Sequence, residues 1–175
     1  MYFSVLLLLL LQLAGPSAPP DMPPDSGVYF RQEGKWISLK TSAVAGVNTK
    51  GLEQYIQTDG FTGLAMDFVC QGALALIRIP SQKPVFYVRG IGLPNDALIV
   101  QFEQKKNSRY LRTSLSSSNA ANKAGFRENA IRKVDIVIFS DKSFSITPKE
   151  DLKPGEYLLT FGNATNSYDF GIDRR

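Results

Sequence analysis

Histidine is absent from the chain, and cysteine occurs once, at Cys70. Without histidine there is no Ser-His-Asp or Cys-His triad, no zinc site built on imidazole and no haem held by an axial histidine. A single thiol cannot form an internal disulfide. Catalytic motifs are missing too: there is no P-loop, no G-x-G-x-x-G after a strand, no G-x-S-x-G, no S-x-x-K and no EF-hand loop. These absences predict a protein with no cofactor and no metal, and they disfavour an enzyme. They leave open a structural or binding role.

Long apolar runs are scarce as well, with one exception at the N-terminus. Val5–Leu11 is unbroken, is extended by Leu13 and Ala14, and is followed by the small residues Gly15, Ser17 and Ala18. That is the hydrophobic and cleavage-region pattern of a secretory signal peptide, although no Lys or Arg precedes it. The run is too short to cross a ~30 Å hydrocarbon core. The expectation is a signal peptide over 1–17, cut near Ser17 or Ala18, and a chain exported to the periplasm or beyond with no transmembrane anchor. Cys70 lies in the apolar stretch LAMDFVCQGALALI, where a free cysteine behaves as a small buried hydrophobe.

Of 175 residues, roughly 158 then belong to the exported chain, one domain's worth at ~100–200 residues per domain. Hydrophobic residues make up 43% and charged residues 21%, which suits a packed core. Residues 18–26 carry four prolines and read as an extended linker. A single domain over 27–173 follows. GVYFR and KWISL flank Gln32-Glu33-Gly34 as a β-hairpin. Further short β-rich runs are Leu64–Val69, Ala73–Ile79, Val85–Arg89, Ala97–Gln104, Arg109–Ser114, Val134–Ser140, Phe144–Thr147, Glu156–Phe161 and Tyr168–Ile172. Ala97–Ser114 reads as one hairpin across a Lys-Lys-Asn-Ser turn. Residues 51–58 (GLEQYIQT) have the spacing of one short helix, and 114–129 read as a long basic loop. Many short strands at close spacing predict an all-β fold, a single antiparallel β-sandwich.

Leu152-Lys153-Pro154-Gly155-Glu156-Tyr157, followed by a strand, resembles the tyrosine corner of immunoglobulin-like and fibronectin-III-like sandwiches. There the chain passes sharply from one sheet to the other, and the Tyr hydroxyl bonds back to the backbone a few residues upstream. The resemblance assigns Leu152, Pro154, Gly155 and Tyr157 a structural part in an immunoglobulin-like sandwich. Over most of residues 27–173 the chain is also similar to secreted bacterial proteins of unknown function of the kind common among acidobacteria. GVYFRQEGKWISL, KPVFYVRG, QFEQKKNSRYLRTS, ITPKEDLKPGEYLLTFG and YDFGID carry that similarity. It implies an exported domain and no activity.

Charge is uneven. From Lys105 to Lys133 eight basic residues stand against one acid, Glu128, while the whole chain is only +4. Lys105, Lys106, Arg109, Arg112, Lys123 and Arg127 are therefore candidate contacts for an anionic polymer, polysaccharide or protein. The bland reading of the same residues is a solvated face that discourages aggregation. No nucleic-acid motif accompanies them. Tyr29, Trp36, Tyr87 and Tyr110 would offer a flat contact surface for carbohydrate or protein if some of them are exposed together. The leading reading is an exported, non-enzymatic binding or scaffolding module. The alternative is a small hydrolase built on a carboxylate pair, with Asp59, Asp67 and Asp96 as candidates. Asn163-Ala164-Thr165 also matches a glycosylation sequon.

Overall fold

A computed structural model describes residues 15–42, 44–50, 65–114, 125–162 and 167–174. The signal segment through residue 14, the short helix expected over 51–58, Asp59, Lys123 and the sequon lie wholly or largely outside the described residues.

The chain opens with the hairpin its alternation predicts. β1 (Gly27–Gln32) and β2 (Lys35–Ser38) pair antiparallel, with Phe30 opposite Ile37. Glu33 and Gly34 both take positive φ, 51° and 76°, the two-residue turn whose twist matches the flanking strands. Val28 and Phe30 point inward and are buried, which leaves Tyr29 and Arg31 on the other face. β6 (Phe86–Arg89), β12 (Ser143–Pro148) and β11 (Val134–Ser140) complete a front sheet in the order β11-β12-β6-β1-β2.

A middle sheet runs β10 (Ile131–Arg132), β7 (Ala97–Gln101), β13 (Gly155–Phe161), β14 (Ser167–Ile172) and β5 (Arg78–Ile79). Its pairings are antiparallel except β14 with β5. A back sheet has the order β3 (Val44–Lys50), β4 (Ala65–Gln71), β9 (Ser108–Ser114) and β8 (Glu103–Lys105).

The fold is all-β with antiparallel sheets packed as in a sandwich, and it carries a third layer. Tyr157, Leu159 and Phe161 of β13 join Val28, Phe86, Val88, Phe144 and Ile146 of the front sheet in the larger core. The alternate residue Leu158 joins Val100, Phe102, Cys70 and Leu111 in a second cluster against the back sheet. A sheet covered on both faces needs apolar residues at successive positions, and YLLTF and ALIV are such runs. Sheets of five and five strands with a third behind them exceed the four and three of a constant-type immunoglobulin domain.

Two expected strands differ. The run Ala97–Gln104 breaks at Phe102, where the chain leaves β7 in the middle sheet and enters β8 in the back sheet. The Phe102 N–H donates to the Glu156 carbonyl at 2.9 Å, so the crossing is stitched to β13. The hairpin is therefore β8 with β9, closed at Lys105 opposite Ser108. The run Ala73–Ile79 is a strand only at Arg78–Ile79, and Leu74 and Leu76 are 62% and 92% exposed. Its Ala75 N–H is taken by the Glu156 carboxylate at 2.6 Å instead of by a neighbouring strand.

The proline-rich segment is tied to β1 at two points. Met22 is buried, its N–H bonds the Pro19 carbonyl at 3.0 Å, and Asp21 pairs with Arg31. The Tyr29 hydroxyl donates to the Asp25 carbonyl at 3.0 Å. At the other end, Tyr157 is buried and its hydroxyl donates to the Lys153 carbonyl at 2.7 Å. The Leu152 N–H bonds Gln82 at 2.7 Å. These bonds hold the chain where it passes from β12 in the front sheet to β13 in the middle one. In the basic loop, Phe126 bridges to Thr113 and Glu128–Ala130 form a 3-10 turn, while 115–124 lie outside the described residues.

Candidate functional site

Among the five basic candidates that are described, Arg109 does not share a surface with the others. Lys105 and Lys106 are exposed at the tip of the β8–β9 hairpin. Arg112 and Arg127 each lie 3.7 Å from Glu103, which draws both toward the back sheet's own acid. Arg109 is only 4% exposed and is not a surface contact. Its side chain enters the layer between back and middle sheets, where Nη1 lies 2.6 Å from Asp169 and Nε donates to the Gly72 carbonyl at 3.1 Å.

Arg109 belongs to a buried ion network. Glu156, 1% exposed, receives the Arg78 guanidinium at 2.5 Å and lies 3.9 Å from Arg109. Arg78 also binds Asp173 at 2.5 Å. Burial opposes the Arg78 charge, but hydrogen bonds and attraction from Asp173 and Glu156 outweigh it and hold its pKa above the ordinary value. A paired, bonded cluster of this kind fixes register between layers. Every carboxylate in it is engaged by an arginine.

The outer face of the front sheet gathers different chemistry. Strand alternation puts Tyr29 and Arg31 of β1, Trp36 of β2 and Tyr87 of β6 on this face, with Tyr29 opposite Tyr87 and Arg31 opposite Trp36. The Trp36 ring meets Tyr87 edge-on at 5.1 Å, and Tyr87 lies nearly parallel to Phe139 of β11 at 6.3 Å. The three rings thus form a strip from one edge of the sheet to the other. The Arg31 guanidinium sits 4.6 Å over the Trp36 ring, a cation–π contact. The Trp36 indole N–H is buried with no hydrogen-bond partner among the described residues. Tyr29 is buried, and Tyr110 lies on β9 of the back sheet, so neither extends the strip.

Beside the strip is a groove of about 260 Å³ lined by Arg31, Ser81, Lys83, Pro84, Val85 and Tyr87 among others. It is smaller than the ~300–1,000 Å³ of sites that swallow a small molecule. Two cations line it, and one of them, Arg31, pairs with Asp21. A second hollow of about 400 Å³ adjoins the tyrosine corner, and its Arg132, Lys133 and Lys153 are offset by Glu150 and Asp151.

Phe139, Lys83 and Arg31 are additions to the residues the sequence singles out. Arg31 was legible from its alternation with Val28 and Phe30. Phe139 was not, because VDIVIF is apolar at nearly every position and hides which side chains face out. Of the carboxylate candidates, Asp67 is on β4 in the back sheet and Asp96 ends the 3-10 turn Pro94–Asp96 before β7 in the middle sheet. They sit on different layers. Among the described residues there is no group of three or more Cys, Asp or Glu that could hold a metal ion, and no helix long and apolar enough to cross a membrane. Compared with known proteins, the chain matches no family model, no curated protein and no solved structure.

Proposed function

We propose that the chain is an exported, non-enzymatic binding module that takes an acidic polysaccharide along the outer face of its front sheet. The observation that carries this reading is the strip Trp36–Tyr87–Phe139 beside a groove lined by Arg31 and Lys83. Aromatic rings present broad apolar surface with few rotatable bonds, which fits the C–H faces of sugar rings. Lys83 answers carboxylates spaced along a polymer, while Arg31 is already held by Asp21. The leader-like N-terminus supports export, where such polymers are met.

The test is isothermal titration against polygalacturonate, with a neutral β-glucan as control. Trp36→Ala and Tyr87→Ala are each expected to weaken polygalacturonate binding by about tenfold, the loss of one well-buried contact at an interface. Lys83→Ala should weaken it less and flatten its salt dependence. The double variant Lys105→Ala, Lys106→Ala should bind as the parent does. Loss of binding in that double variant, with Trp36→Ala unaffected, would move the site to the hairpin and end this reading.

A further inference from the structure

The front sheet ends in a strand that nothing described covers. β11 spans seven residues, VDIVIFS, and lies at the edge of the order β11-β12-β6-β1-β2. Val137 is 41% exposed and Ile138 56% exposed. Proteins commonly blunt such an edge with lysine, proline or a short strand. Here the only charge between Val134 and Ser140 is Asp135, and the irregularity in the ladder begins after Ile138.

The direction of each backbone group follows from one bond. Lys149 N–H donates to the Lys133 carbonyl at 2.9 Å, and Val134 stands opposite Pro148, which has no N–H to give. Bonded and non-bonded pairs alternate in an antiparallel ladder. Asp135 and Val137 therefore exchange bonds with Thr147 and Ser145 of β12, their partners in register. Val134, Ile136 and Ile138 turn their N–H and C=O groups away from the sheet. These three positions are symmetric about Ile136.

We infer that β11 pairs with β11 of a second copy of this chain, antiparallel, about a twofold axis at Ile136. In that register Ile136 bonds Ile136 of the partner subunit, and Val134 and Ile138 bond each other across the axis in both directions, so all six outward groups are satisfied. Val134, Ile136 and Ile138 share one side of the strand, where Val134 and Ile136 pack on the larger core. The pairing sets exposed Ile138 beside Val134 of the other copy. On the opposite side, each Asp135 meets a Val137, so no like charges oppose. The contact is isologous and closes at two copies. The two front sheets become one sheet of ten strands, with both aromatic strips on the same side.

Sedimentation equilibrium of the purified chain tests this, with two variants at exposed Val137. Val137→Asp places an aspartate against Asp135 of the partner subunit twice, and dimerisation should weaken on the order of tenfold. Val137→Lys places an opposite charge beside Asp135, which Lys149 of its own chain holds at 3.3 Å, and should weaken the dimer less than Val137→Asp does. Amide exchange reads the same contact without substitution: protection at Ile136 should rise with protein concentration. A parent chain that stays monomeric to about 1 mM, equal effects of the two Val137 variants, or concentration-independent exchange at Ile136 would each overturn the proposal.

Discussion

Glu156 occupies a position whose sequence neighbours give no warning of its role. It falls in the strand run EYLLTF, yet its carboxylate is enclosed and accepts the Ala75 N–H and the Arg78 guanidinium while lying 3.9 Å from Arg109. Glu156→Gln keeps an acceptor for Ala75 but leaves two arginines short of a counter-charge. Removing one partner of a buried pair costs ~3–5 kcal/mol where the remaining charge has nothing else. Each arginine here retains an aspartate, Asp173 or Asp169, so the expected loss is about 2 kcal/mol, less than that full penalty. Asp173→Asn acts on the same Arg78 from a side chain 59% exposed, where solvent screens the pair, and should cost less than about 1 kcal/mol. Urea denaturation of the two variants measures the contrast. Equal losses would mean that the network is not differentiated by burial.

Among the elements, the tyrosine corner was legible because its chemistry is local: Leu152, Pro154, Gly155 and Tyr157 lie within six residues, and the bond from Tyr157 reaches back only to Lys153. The β1–β2 hairpin was legible for the same reason. The passage at Phe102 was not, since the alternation of ALIVQFEQ continues through the point where the chain changes sheets. Arg109 was misread as a surface contact because the carboxylates that bury it, on Glu156 and Asp169, belong to β13 and β14 far along the chain. Of the candidate surface, Trp36 and Tyr87 could be named from sequence, but their meeting depends on β6 and β2 flanking β1. The corner also sets a pH dependence. Burial raises the Tyr157 pKa above its ordinary value, with Arg132 partly opposing, and burial also raises that of Tyr168, with Tyr29 adding to it. A group whose folded pKa is raised contributes its full stability below the unfolded value and loses it as pH rises through the folded one. The urea midpoint should therefore fall above about pH 10, and less steeply in the double variant Tyr157→Phe, Tyr168→Phe. An unchanged slope would assign the alkaline loss to other groups.

For the whole molecule, the question is whether three layers unfold as one body. The middle sheet serves both cores, since successive residues Leu158 and Leu159 enter different ones. The chain itself joins middle and back sheets at Phe102, and Arg109 on β9 is bonded to Asp169 on β14. Peeling off the back sheet would expose Val100, Phe102 and Leu158, at about 1.5–3 kcal/mol for each large apolar side chain, and would strip Glu156 and Asp169 of Arg109. These costs favour one cooperative transition. The composition supplies a reporter at each end, with one tryptophan and one cysteine in the chain. Trp36 lies on the outer face of the front sheet, and Cys70 is buried between back and middle sheets, 3.6 Å from the Ser42 hydroxyl. In a urea series, the change in Trp36 fluorescence and the onset of Cys70 reactivity toward a thiol reagent are expected at the same midpoint. Cys70 reacting at lower urea than the Trp36 transition would show that the back sheet opens as a separate unit. The ionic layer would then be a latch between two bodies instead of the interior of one.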